Sequence, residues 1–215
     1  MKTFAAIVIV AAMIFIAAPA VFAEERTVPF LGTTLDYGKP VGVVGFLVIS
    51  LELRNDASGL HIWSRNPNAF SEETRNAVTD AISRTARYTG ISADSWSVRI
   101  DSVNHFRIYG MSLSAMVALT VISMAKGDTI APHRVITGGI DADGSILAVG
   151  GVPLKAIAAH DAGLTLLIPT APAHPLANPW APPLPNEVSC VHTVEEAYAK
   201  LTGKKLISDE ERRAQ

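Results

Sequence analysis

The most constraining stretch of this chain is Ser112 to Ala125, which carries no charge and is apolar almost all the way round. A helix with that pattern has no face to offer to water, so it must be buried. A chain of 215 residues with 49% apolar and 18% charged side chains has enough material for one globular domain with a real core.

The segments around that run alternate between helical and extended patterns. Gly42 to Arg54 reads as a strand, with Leu47, Ile49, Leu51 and Leu53 on one face and Ser50, Glu52 and Arg54 on the other. Turn chemistry at Asn55–Gly59 precedes a returning strand at Leu60–Ser64. Ser71 is placed to cap a helix whose inner stripe is Ala77, Val78, Ala81, Ile82 and Thr85. Trp96 to Tyr109 holds two short β-prone stretches, and Arg134 to Leu147 reads as a hairpin turning at Asp143-Gly144.

Val152 to Ala162 is a further helix stopped by Gly163, and Leu164 to Ile168 a buried strand. Pro169 to Pro185 carries seven of the thirteen prolines and reads as an extended loop. Thr193 and Glu196 form a capping box for a last helix that ends at Gly203. Strands and helices in this mixed order, with hairpins, indicate an α+β fold.

Both ends lie outside that domain. Met1-Lys2, the apolar run Phe4–Ala18 and the small-residue site Val21-Phe22-Ala23 have the layout of a secretory signal peptide, with an uncleaved anchor as the competing reading. Residues 24–207 then form the domain, and 208–215 a charged tail. Export makes the protein periplasmic or extracellular. Cys190, the one cysteine, cannot form an internal disulfide, and is expected as a buried strand residue with His192 on the same face. With 18 basic and 20 acidic residues and no basic cluster, nucleic acid is not an expected partner.

Candidate chemistry centres on two positions. Ser112, after Gly110, stands where the buried helix begins, and free N–H groups at a helix start can hold an oxyanion. Lys155 is the only charge between Asp143 and Asp161 and follows Gly150-Gly151 among apolar or small neighbours. A lysine serves as a base only where burial lowers its pKa. Taken singly, a serine in that place is usually a cap, and a lone helical lysine usually extends its ammonium to water.

Two blocks join these positions. Gly110-x-Ser112-x-Ser114 before an Ala/Val/Leu helix resembles the nucleophile block of Lon proteolytic domains, particularly the archaeal type. Thr137-Gly138, Gly144, Val149-Gly150-Gly151, Lys155, Ala158-Ala159, Ala162-Gly163 and Ile168-Pro169 resemble the block with the catalytic lysine. The separation of 43 residues between Ser112 and Lys155 agrees with that family without a gap.

The resemblance implies a compact α+β domain with Ser112 as nucleophile, Lys155 as general base and Thr137 positioning the lysine. It also implies backbone N–H groups near Ser112 as the oxyanion hole. The chain departs from the family at Tyr109 and Gly139, where acidic residues are common, and at Leu113, where alanine is usual. It carries no G-x-x-x-x-G-K-[ST] phosphate loop. The expected activity is therefore ATP-independent serine endopeptidase cleavage of peptides or unfolded proteins, with no cofactor or metal. Lon-like domains often assemble as rings, so the resemblance allows a homo-oligomer.

Two other readings compete. Ser123-Met124-Ala125-Lys126 fits S-x-x-K, but the Ser-Asp-Asn and Lys-Thr-Gly partners of that chemistry are missing. A domain that kept the fold and became an envelope binding or adaptor module is the alternative of a different class.

Overall fold

The computed structural model describes residues 24–170 and 188–207. The expected signal peptide, most of the proline-rich loop and the tail at 208–215 lie outside the described residues. Fourteen elements follow in chain order: β1 (Glu24–Asp36), β2 (Lys39–Leu53), β3 (His61–Trp63), the short 3-10 turn Pro67–Ala69, α1 (Glu72–Tyr88), β4 (Trp96–Ser102), α2 (Ser114–Ala125), β5 (Arg134–Ile136), β6 (Gly139–Ile140), β7 (Ile146–Leu147), α3 (Val152–Asp161), β8 (Thr165–Pro169), β9 (Val188–Val191) and α4 (Val194–Thr202). The fold is α+β, as the order of patterns indicates.

Helix α2 is the hub. Eleven of its residues, Ser114 to Met124, are buried. Helices α1 and α4 and strands β1, β2, β5 and β6 all pack on it. Its internal hydroxyls need partners in so dry a place. Thr120 donates to the Met116 carbonyl at 2.7 Å and Ser123 to the Thr120 carbonyl at 2.8 Å.

One sheet runs in the order β1-β2-β4-β3. β1 and β2 form a long antiparallel hairpin in register from Glu24↔Leu51 to Asp36↔Lys39. β4 joins β2 antiparallel, with Ile49 opposite Ile100. The inner stripe of β2 is correct for Leu47, Ile49 and Leu51, but Leu53 is 52% exposed because it ends the strand. On the other face, Ser50 and Glu25 are drawn together by Arg99, which donates to both. β3 is not a return onto β2. The longer β4 takes that place, and β3 pairs parallel at its far edge. The two β-prone stretches expected between Trp96 and Tyr109 resolve into one strand, β4, and an irregular segment.

The expected hairpin at 134–147 is shorter than its pattern. Only β6 and β7 pair as a hairpin, closed at Gly144 with φ +83°. β5 leaves to join a separate parallel sheet, β5-β8-β9, beside the buried strand β8. Cys190 is exposed, not buried. β9 is the edge of that sheet, and alternation turns Val191 into the core and Cys190 out. The capped helices form as read: Ser71 accepts from the Thr74 N–H at 3.1 Å and Thr193 from the Glu196 N–H at 3.3 Å.

Helix α3 reaches the sheet through one glycine. A Cβ at Gly42 would sit 2.0 Å from the Leu154 carbonyl oxygen and 3.0 Å from the Ala158 methyl, so the helix backbone lies directly on β2. Gly42→Ala is therefore expected to destabilise the protein by about 3 kcal/mol in urea denaturation, since rigid backbone must move. Gly150→Ala, where a Cβ meets open space, is the control and is expected to change stability by less than about 0.5 kcal/mol.

Candidate active site

Backbone and side-chain hydrogen bonds together link Ser112, Thr137 and Lys155. Thr137 follows β5 directly, and its N–H donates to the Leu167 carbonyl of β8 at 3.1 Å. The next residue, Gly138, donates its N–H to the Ser112 carbonyl at 2.8 Å and accepts from the Ala115 N–H at 3.1 Å. The chain after β5 is thus stitched to the start of α2. Gly139 carries no side chain, and the Met111 methyl fills the space where its Cβ would stand, 2.3 Å away.

Lys155 comes from the other side. Gly151, at φ +70°, opens α3, and Lys155 is the fourth residue of the helix. With Gly42 admitting α3 to the sheet, the lysine is only 4% exposed. Its Nζ donates to the Thr137 hydroxyl at 3.1 Å, and that hydroxyl donates onward to the Ser112 carbonyl at 3.3 Å. No carboxylate among the described residues forms an ion pair with it. Burial alone lowers the Lys155 pKa from 10.5 to about 8.

Ser112 itself is not in the helix, contrary to the expectation that it opens the first turn. It lies in the turn just before α2, where the Met111 carbonyl accepts from the Ser114 N–H at 3.0 Å. Gly110 enters this turn at φ +81°, a conformation that suits glycine. The N–H groups of Met111, Ser112 and Leu113 donate to no acceptor among the described residues. Ser112 and Lys155 both face a cavity of about 510 Å3, whose wall includes Phe30, Val43, Phe106 and Ile108. Ser112 Oγ and Lys155 Nζ form no direct hydrogen bond. Their present link runs through Thr137. Ser114, by contrast, is buried and does not line the cavity.

Sequence reading missed Thr74. Fully buried in the first turn of α1, its hydroxyl donates to the carbonyls of Gly110 at 3.0 Å and Ile108 at 3.3 Å. The Ser71 N–H also holds the Ile108 carbonyl, at 2.9 Å. The approach to Ser112 is thereby fastened to the start of α1. The only signal was a threonine at the position where a capping box would carry Glu or Gln. Ser123 drops out as a nucleophile: it is fully buried, and its hydroxyl serves the Thr120 carbonyl and accepts from Arg26 at 2.9 Å. Lys126, the other half of that motif, is exposed.

Residues 109–194 match the family model of the Lon protease (S16) C-terminal proteolytic domain. That stretch contains Ser112, Thr137 and Lys155. The chain is also 34% identical over 100 residues to an archaeal Lon protease of Archaeoglobus fulgidus, across 46% of this chain and 16% of that protein. To an archaeal Lon protease of Methanothermobacter thermautotrophicus it is 31% identical over 104 residues, across 47% of this chain and 16% of the relative. The matched part therefore spans about one sixth of the length of these curated relatives.

The buried lysine has a measurable energetic consequence. A shift from 10.5 to about 8 corresponds to about 3 kcal/mol against the charged form. Because the folded lysine holds its proton less tightly than the unfolded one, the native state bears this cost in full below about pH 8. The cost fades as pH rises toward 10.5, so stability from this group increases across that window. Lys155→Met is expected to raise unfolding free energy at pH 7 by about 1–3 kcal/mol, with the gain shrinking by pH 10. Thermal denaturation at the two pH values checks both signs.

Proposed function

We propose that this protein is a serine peptidase in which Ser112 is the nucleophile and Lys155 its general base. The observation that carries this reading is the chain of contacts from the Ser112 carbonyl through Thr137 to a nearly inaccessible Lys155, in a cavity that both residues line. The match of residues 109–194 to a proteolytic domain supports the same chemistry.

In this reading the Thr137 hydroxyl engages one N–H of the lysine, leaving the lone pair of the neutral amine free for the serine. A rotation of the Ser112 side chain brings its Oγ to Nζ, as in other free enzymes whose catalytic hydrogen bonds tighten on binding. Oγ attacks the peptide carbonyl carbon while Nζ takes the hydroxyl proton. Carbonyl oxygen acquires the negative charge, and the unengaged N–H groups around Ser112 hold it. Collapse breaks the C–N bond, and Nζ returns the proton to the leaving amine. The resulting ester is cleaved by water, whose proton again passes to Nζ before Ser112 is restored.

The apolar wall of Phe30, Val43, Phe106 and Ile108 suits an apolar side chain elsewhere in the bound peptide. β1, the edge strand that supplies Phe30, Gly32, Thr33 and Thr34 to the cavity, offers backbone groups to an extended peptide. Such a site takes peptides and unfolded segments, and nothing in the mechanism draws on ATP. The reading includes export with cleavage after Ala23, which the intact mass of secreted protein checks.

Protein beginning at Glu24 is expected to cleave fluorogenic peptides and an unfolded protein without nucleotide. Ser112→Ala and Lys155→Ala should each lower kcat/KM by roughly a thousandfold or more. Thr137→Val should lower it by about tenfold, the worth of one hydrogen bond. Because the base must be neutral, kcat/KM should rise with pH and reach half its plateau near about pH 8. A folded wild type inactive from pH 6 to 10 would favour the binding-module alternative.

A further inference from the structure

The same cavity has an unusual charge lining. Among the described residues its two ionisable cations are Lys155 and Arg107, and no Asp or Glu lines it, although the chain holds 20 acidic residues and a net charge of −2. The remaining walls are largely apolar, and low-dielectric walls concentrate the field of the charges they enclose. The two cations differ in kind. Lys155 is enclosed and engaged with Thr137. Arg107 is exposed, always charged, and stands on the segment that leads to Ser112.

Arg107 is also held without being used. Its guanidinium lies 5.5 Å from the centre of the Tyr109 ring. That face-on contact restricts the side chain while leaving its N–H edge free, so a ligand meets a partly preorganised fork. Those N–H groups donate to no acceptor, and form no ion pair, among the described residues. A planar, unengaged guanidinium on the wall of a cavity that no described carboxylate lines matches one ligand group best, a carboxylate.

The geometry points to Arg107 as a specificity residue that selects peptides with an Asp or Glu side chain close to the scissile bond. This deepens the peptidase reading and rests on it. The preference is a binding effect, made equally in ground state and transition state, so it appears in KM more than in kcat. Arg107 is exposed, so the gain is modest and weakens with salt.

The experiment compares two fluorogenic peptides identical but for Glu or Gln next to the cleaved bond. For the wild type at low ionic strength, kcat/KM is expected to favour the Glu peptide about fivefold, mostly through KM, with the ratio shrinking in 0.5 M salt. Arg107→Gln should bring the ratio to about one, Arg107→Lys should restore part of it, and Arg107→Glu should push it below one. Circular dichroism confirms that each variant is folded. A wild-type ratio of one, or a ratio untouched in Arg107→Gln, overturns the assignment and leaves the peptidase intact. Should neither peptide be cleaved, the peptidase reading fails. Fluorescence anisotropy of the same labelled peptides on Ser112→Ala and Ser112→Ala/Arg107→Gln then decides the carboxylate preference. Equal binding of Glu and Gln peptides refutes it, and a Glu preference lost with Arg107 upholds it.

Discussion

Enclosing an uncharged helix dictates how this chain must fold. With Ser114 to Met124 cut off from water, α2 has to be covered on every side, and α1, α4, the long β1–β2 hairpin, β5 and β6 each supply cover. The same demand creates the site. A helix sealed along its length is reached from outside only at an end. Its N-terminal end is where Gly110 turns the chain, where Gly138 is stitched to Ser112, and where α3 brings in a lysine. The cavity that Ser112 and Lys155 share lies at this end.

Close approach of backbones makes that end dry enough to matter. Gly42 lets α3 lie on β2, and the absence of a side chain at Gly139 leaves room for Met111 beside the turn. Lys155 loses water as a result and, among the described residues, acquires in exchange only the Thr137 hydroxyl. A carboxylate partner would favour the charged ammonium and defeat a role as base. Among the described residues none lines the cavity. Tyr109 stands where the resembled family commonly carries an acid, and here its ring supports Arg107 instead. A departure that reads from sequence as a loss thus alters the charge of the cavity.

Much of this was legible because the signals were local. The uncharged run of α2, the caps at Ser71 and Thr193, and the stops at Gly163 and Gly203 need no knowledge of distant partners. Ser112, Lys155 and Thr137 were found through the two blocks resembling a known domain, and the structure brings them into one cluster. The elements that escaped are those defined by pairing. β1 carries Pro29 and Gly32 and has no clean alternation, so only its register with β2 makes it a strand, with proline tolerated at the sheet edge. β3 and β5 were assigned to hairpins because sequence neighbours usually pair, yet both found parallel partners further along the chain. Thr74 stayed hidden for a related reason: a capping position says nothing of a loop some 36 residues away that the hydroxyl also holds.

The central claim is that burial, unaided by a neighbouring charge, readies Lys155 as a base for Ser112. A direct test is an NMR titration of the lysine Nζ in protein labelled with 15N and 13C lysine, the Lys155 signal being assigned by its absence in Lys155→Arg. The account predicts a midpoint near about pH 8 for this one residue. A midpoint near the ordinary 10.5 would mean that the ammonium is solvated or paired after all, and the proposed mechanism would lose its base.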